Sequence, residues 1–297
     1  MKFRTEIRVE KSPFLLSPER PAVLLGSCFA SNMLERMRRC GWEAVNPLGT
    51  LYNPFSIHRS LEIALAVGNG ECVEARRSVE ESMFFSLGKW RSWLHDTSLA
   101  SSERETTVSA FLERGMVLCE KLKAGAPLFV TFGTSWCYVL TGREGEYIVA
   151  NCHKQPAGMF ERIRGTVGDI VRKWIEMADR LKALYPGIEI VFTVSPVRHV
   201  KDGLEGNAVS KAILRLAVEE ICDAKEWCHY FPAYEIVNDD LRDYRFYASD
   251  LVHPSEQAVE YIWEKFRETY LDSRGEDLLR KGEKAWKAAQ HRPHPTL

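Results

Sequence analysis

Ser27, Asp250 and His253 are the residues of this 297-residue chain whose types and spacing suit acyl transfer. A serine hydroxyl attacks a carbonyl when a neighbouring base takes its proton and an acid orients that base. Asp250 and His253 stand three apart in DLVHPSEQA, so one loop can hold an imidazole with a carboxylate against it. Ser27 lies near the other end of the chain, in AVLLGSCFASNMLERMRRCGW, between an apolar run and a helical one. Each also has a structural reading: a serine at such a junction is an ordinary helix N-cap, and a D-x-x-H arises often by chance. Cys28 is the nearest rival nucleophile, because a helix N-terminus lowers a thiol's pKa and His253 could serve it as base.

The elements around Ser27 would hold it at a sheet edge. Residues 22–25 read as a short buried strand broken by Gly26. Phe29, Met33, Met37 and Cys40 then recur at helical spacing up to a stop at Gly41. Residues 42–45 read as a second strand, and Asn53-Pro54 as a capped helix start that runs to Gly68. Residues 69–105 read as an irregular flap, whose Trp90, Trp93 and His95 either pack together or offer aromatic faces to a sugar. A helix through Val108, Phe111, Leu118 and Leu122 precedes a central strand in 127–136. A hairpin over 138–140 and 147–150 follows, then a helix over 166–184, a strand over 188–195 and a helix over 207–223. A short strand over 228–231 and a last clear helix from Ser255 complete the pattern, and residues 3–9 are expected to add an edge strand.

Strands alternating with helices of this length predict a parallel sheet with helices on both faces. Such sheets bind ligands beyond the C-terminal ends of their strands. Polar residues fall at five successive ends: Ser27; Gly49 and Asn53; Gly133, Thr134 and Ser135; Arg198 and His199; Asp250 and His253. That recurrence points to one shared cleft. There Arg198 and His199 would read a substrate's charge or hydroxyls, with a structural salt bridge the alternative for Arg198. His153, in NCHKQP, is either a donor to substrate or a loop histidine bonded to backbone.

Composition narrows the classes. Apolar residues make up 45%, charged residues 27% and the formal net charge is −1, a profile without a nucleic-acid patch. No apolar run approaches the roughly 18 residues a membrane helix needs, and MKFRTEIRVEKSPF lacks the apolar core of a signal peptide. Eight cysteines without a C-x-x-C pair predict free, buried thiols in a reducing cytoplasm. The eight histidines do not group at metal-ligand spacing, so neither a metal nor another cofactor is expected. Nothing in the pattern fixes an oligomeric state.

VLLGSCFA, the NPLGTLYNP loop, VTFGT, NCHK, TVSPVRH and YFPAYEI…DLRDYRFYASDLVHPS together resemble the GSCFA family, from about residue 3 to about residue 270. That family is similar in turn to the SGNH, or GDSL-like, hydrolases. The resemblance implies ester hydrolysis on a three-layer α/β/α sandwich with a mostly parallel, flavodoxin-like sheet. The chain then reads as one domain over 1–271, followed over 272–297 by a charged tail that is loosely packed, helical and then disordered. By the resemblance Ser27 is the nucleophile, His253 the base and Asp250 the acid. The oxyanion donors would be the N–H groups of Ser27 and Gly49 and a third-block asparagine. Here that asparagine is missing: GTSW offers Thr134 or Ser135, and Asn53, Asn151 and His153 are candidates to fill the place. Removing one oxyanion donor costs about 100- to 1,000-fold in turnover. The expected function is removal of a small acyl group, such as acetyl, from a carbohydrate or other polar carrier. An acyltransferase would use the same triad, and a non-catalytic binding module would keep only the cleft.

Overall fold

Three five-residue segments, AVLLG, LFVTF and IVFTV, are buried along their whole length, which requires cover on both faces. They form the middle of the main sheet in a computed structural model that describes residues 4–142 and 147–290. The first half of the chain runs β1 (Ala22–Gly26), α1 (Cys28–Arg39), β2 (Ala44–Val45), α2 (Pro54–Gly68), α3 (Cys72–Glu81), β3 (Met83–Ser86), β4 (Lys89–Ser92) and α4 (Arg104–Lys123). Next come β5 (Leu128–Phe132), β6 (Trp136–Leu140), β7 (Ile148–Val149), β8 (Phe160–Arg164) and α5 (Val167–Leu184). The last part holds β9 (Ile190–Val194), α6 (Gly203–Ala224), β10 (Cys228–Tyr230), the single turn α7 (Ala233–Glu235), α8 (Glu256–Tyr270) and α9 (Ser273–Gln290).

The main sheet has the order β10-β9-β5-β1-β2, and every pairing in it is parallel. Counted in chain order from the opposite edge this is 2-1-3-4-5, the flavodoxin-like order. Side chains alternate between its faces. Val23, Leu25, Val130, Phe132 and Phe192 meet α2, α4, α5 and α6 on one side. Ala22, Leu24, Phe129 and Val191 meet α1, α8 and α9 on the other. The expected three-layer α/β/α sandwich is therefore present. The strand order reverses between β1 and β5, which opens a crevice beyond their C-terminal ends.

Three expectations are corrected. Residues 69–105 are not irregular: they form α3, the β3–β4 hairpin and a turn at Thr97–Leu99. The hairpin loop is two residues, Leu87 at φ 51° and Gly88 at φ 72°. That is a turn in which both residues are left-handed, a geometry usually signalled by Asn-Gly or Asp-Gly and hidden here by leucine. Trp93 stacks on Phe84 at 3.7 Å and His95 is buried, so these rings pack together and do not form a sugar wall. Residues 5–12 form no strand; the segment lies along α8, where Ser12 N–H donates to Thr269 O (3.0 Å) and Leu16 N–H to Tyr270 O (2.8 Å). The charged tail is not loose. Its Leu279 is buried in the same core as α1 and α8, and Gly282 faces the Cys40 carbonyl so closely that a Cβ would lie 1.8 Å from the oxygen. Residue 3, positions 143–146 of the expected hairpin turn and the end of the tail, 291–297, lie outside the described residues.

At Gly26, β1 lies close against Thr131 of β5. It has φ 123°, and a Cβ on it would lie 2.1 Å from Thr131 O. Gly26→Ala is expected to lower the unfolding free energy by about 1–3 kcal/mol, measured by urea denaturation. An unchanged midpoint would show that the two strands can part there without cost.

Candidate active site

Ser27 sits where β1 gives way to α1, in the N-cap position with extended backbone (φ −71°, ψ 175°). Its side chain makes no capping bond, and its Oγ is buried without a hydrogen-bond partner among the described residues. A buried, unpaired hydroxyl is costly, roughly 1–3 kcal/mol, and is an unusual thing for a fold to keep. The capping reading is thereby removed. Its N–H donates to Thr131 O (3.2 Å), continuing the β1–β5 ladder, so the backbone donor expected at Ser27 is engaged in the sheet.

Asp250 and His253 come together as their spacing predicts. Asp250 accepts hydrogen bonds from His253 N–H (3.0 Å), from Val252 N–H (2.9 Å) and from His253 Nδ1 (2.7 Å). The two bonds from His253, backbone first, hold the carboxyl down at about 2, so it stays ionised at neutral pH. The Nδ1 bond fixes the ring and leaves Nε2 as the atom that can take a proton. His253 lines a cavity of about 450 Å³ together with Cys28, Tyr52, Asn53, Thr134 and His199. Among the described residues no hydrogen bond joins His253 to Ser27 Oγ.

The other predicted residues divide. Asn53 caps α2 by accepting from Ser56 N–H (2.8 Å) while lining the cavity. Asn151 also lines it, with its side-chain oxygen on His153 N–H (2.7 Å). His153 takes its backbone-bonded reading: its Nε2 meets Ser92 O at 2.8 Å and its ring packs on Phe84 and Trp93. Gly49 is turned towards the His95–Asp96 pair, since a Cβ on it would meet Asp96 Oδ2 at 2.5 Å and His95 Cε1 at 2.6 Å. Burial opposes ionisation of Asp96, but hydrogen bonds from His95, Ser98 and Thr50 outweigh it and lower its pKa. This pair braces the loop after β2. Thr134 and Ser135 both hydrogen-bond to Ser210 Oγ (3.1 Å each) and so are committed to one another's support. Among the described residues Arg198 makes no salt bridge; its guanidinium lies 3.9 Å from the centre of the Tyr247 ring, and its backbone N–H donates to Val252 O (3.1 Å). Burial pushes the Cys28 thiol up, which disfavours it as a nucleophile.

Tyr52 and Lys211 were not singled out by sequence, yet they hold the crevice in shape. Tyr52 O accepts from both Gly133 N–H (2.8 Å) and Thr134 N–H (3.0 Å). Lys211 is fully buried on α6, where its Nζ donates to Gly133 O (2.6 Å) and Ser195 O (2.7 Å), tying the ends of β5 and β9. Burial drives its pKa down to about 7. The readable signal was a lysine on the apolar stripe of α6, beside Leu214, Val218 and Ile221.

The model of the GSCFA family matches residues 21–266, which spans β1 to α8 and includes every residue of this site. No protein of curated function matches the chain. Ser27→Ala is expected to leave the melting temperature unchanged or raise it, because no hydrogen bond is lost and an unpaired buried hydroxyl is removed. A true N-cap would cost about 1 kcal/mol, or roughly 2–4 °C in a chain this size, and a loss of that order would restore the capping role.

Proposed function

The chain belongs to the GSCFA family, and we propose that it is a serine hydrolase that removes a small acyl group, such as acetyl, from a carbohydrate or other polar carrier. One observation carries this reading. A buried, uncommitted serine hydroxyl ends β1 beside a cavity whose rim holds a histidine already bonded to a carboxylate. The α1 N-terminus that starts at Cys28 lacks a side-chain cap. Its outward N–H groups and positive dipole end favour negative charge developing next to Ser27.

In the proposed cycle Ser27 Oγ attacks the ester carbonyl as His253 Nε2 takes its proton. Asp250 holds the ring and balances the imidazolium. The same proton passes to the departing alcohol of the carrier, leaving Ser27 acylated. Water, deprotonated by His253, then releases the carboxylic acid and restores the hydroxyl. The strand order supports a likeness to SGNH hydrolases at the level of fold. A cavity of about 450 Å³ is of a size to admit an acyl group and one sugar-sized carrier unit. Trp136 and Tyr138 line it, with the Arg162 guanidinium 4.4 Å from the Trp136 ring centre and paired with Asp202. Flat faces and fixed hydrogen-bonding groups of this kind suit a polar ring. All eight cysteines are free, and no helix among the described residues is long and apolar enough to cross a membrane. Free thiols favour a reducing compartment, so cytoplasmic residence is part of the proposal.

The test is p-nitrophenyl acetate hydrolysis together with labelling by a fluorophosphonate probe. Wild type should turn over and label, and Ser27→Ala should do neither. His253→Ala should lower the rate by about 100- to 10,000-fold with an unchanged melting temperature, because His253 is half exposed and outside the core clusters. An inert wild type would instead favour a binding module, the reading to which the missing Ser27–His253 bond gives support. Faster turnover with an added alcohol acceptor than with water would make the protein an acyltransferase.

A further inference from the structure

The resemblance assigns an oxyanion role to an asparagine that GTSW lacks, and the backbone N–H groups at the ends of β1 and β5 do not supply it. Around Ser27 the N–H of Ser27 is on Thr131 O, those of Gly133 and Thr134 are on Tyr52 O, and that of Ser135 is on Ser210 Oγ. Among the candidate side chains, Asn53 Oδ1 caps a helix, Asn151 Oδ1 braces a loop and His153 Nε2 meets Ser92 O.

One unpaired side-chain nitrogen lies across Gly133 from Ser27. His199 Nε2 is buried without a hydrogen-bond partner. The residue is held from two sides: the backbone N–H of His199 donates to Asn207 Oδ1 of α6 (2.9 Å), and the ring meets Tyr52 edge-on at 6.0 Å. Gly133 shows where Nε2 is aimed. A methyl group built on Gly133 would lie 3.2 Å from Ser27 Cβ and 3.3 Å from His199 Nε2. Ser27 Cβ and His199 Nε2 are therefore at most about 6.5 Å apart, the sum of those distances, with only the missing side chain of a glycine between them. A carbonyl oxygen on the carbon attacked by Ser27 Oγ fits such a gap within hydrogen-bond reach of Nε2.

We propose that His199 is a catalytic residue that donates Nε2–H to the oxyanion formed when Ser27 attacks. The inference rests on the hydrolase reading above and deepens it. Protonation supports the division of labour. Burial, then the nearby charges of Lys211 and Arg162, push the His199 pKa down to about 4. At neutral pH the ring is uncharged, a poor base but a competent N–H donor in the tautomer that carries its proton on Nε2. His253, with its carboxylate, keeps the role of base.

The experiment compares wild type, His199→Gln and His199→Met on p-nitrophenyl acetate, with Ser27→Ala as the blank and melting curves alongside. Methionine fills the volume without a donor. Glutamine keeps an N–H at a similar distance from the backbone. His199→Met should lower kcat by about 100- to 1,000-fold while KM moves much less, and His199→Gln should recover at least about tenfold of that loss. If His199→Met unfolds, His199→Leu takes its place. An active, Ser27-dependent wild type with a nearly unaffected His199→Met overturns the assignment of His199 and leaves the hydrolase reading standing. Equal losses in the Gln and Met variants overturn the donor role. A wild type without turnover overturns both.

Discussion

The site depends on one close approach, that of β1 to β5 at Gly26. Thr131 O lies where any Cβ on Gly26 would be, and the next residue donates its N–H to that same oxygen. This sets Ser27 in extended backbone at the last rung of the ladder, one residue before α1 begins. The position of Ser27, the proposed nucleophile, is thus fixed by main chain, and its side chain owes nothing to capping. The same bond has a chemical consequence. A backbone donor used in the sheet is not free for an oxyanion, so charge at the reacting carbon must be met by side chains and by the α1 N-terminus.

A second set of contacts deals with the polar backbone that a strand edge leaves behind. Buried peptide groups must be paired. Here one carbonyl, Tyr52 O, serves two N–H groups, and one amine, Lys211 Nζ, serves two carbonyls. Burying that amine has a cost, visible in a pKa of about 7 against 10.5 in the unfolded chain. Because the folded value is the lower one, the unfolded chain holds more protons between these limits. Stability from this group is greatest above the upper value and falls as pH drops through that window. The fold accepts the cost because the lysine joins Gly133 and Ser195, the ends of adjacent strands, directly beneath the gap that Ser27 and His199 share.

Much of this was legible in the sequence where local chemistry decides structure. The β1–α1 junction, Asn53 capping α2, Thr166 capping α5, Ser255 capping α8 and the Asp250–His253 pair all follow from spacing within a few residues. What sequence could not show depends on contacts across the chain. The β3–β4 hairpin was hidden because leucine occupies a left-handed turn position. The packing of α9 depends on Gly282 meeting Cys40, some 240 residues away. His199 read as a residue that touches substrate charge or hydroxyls. Only the fold shows its Nε2 opposite Ser27 across Gly133, and only a count of the engaged N–H groups there makes an unengaged nitrogen meaningful.

The two histidines of the crevice are anchored in different ways, and the difference suits different tasks. His199 is held through α6 and a buried ring contact, which suits the proposed oxyanion donor, since preorganisation is what gives such a donor its effect. His253 stands on a loop with Leu251 at φ 58°, half exposed, tied to Asp250 and to the backbone of Ala248 (2.7 Å). Arg198 steadies that loop by donating its N–H to Val252 O while its guanidinium rests on Tyr247. In the proposed cycle His253 Nε2 therefore meets Ser27 Oγ from a rim loop outside the sheet. A base must approach, exchange protons with a leaving group and then with water, so it belongs at the solvent side of the cleft. The rigid groups lie beneath it, fixed to the sheet and to α6, and the adjustable one stands above.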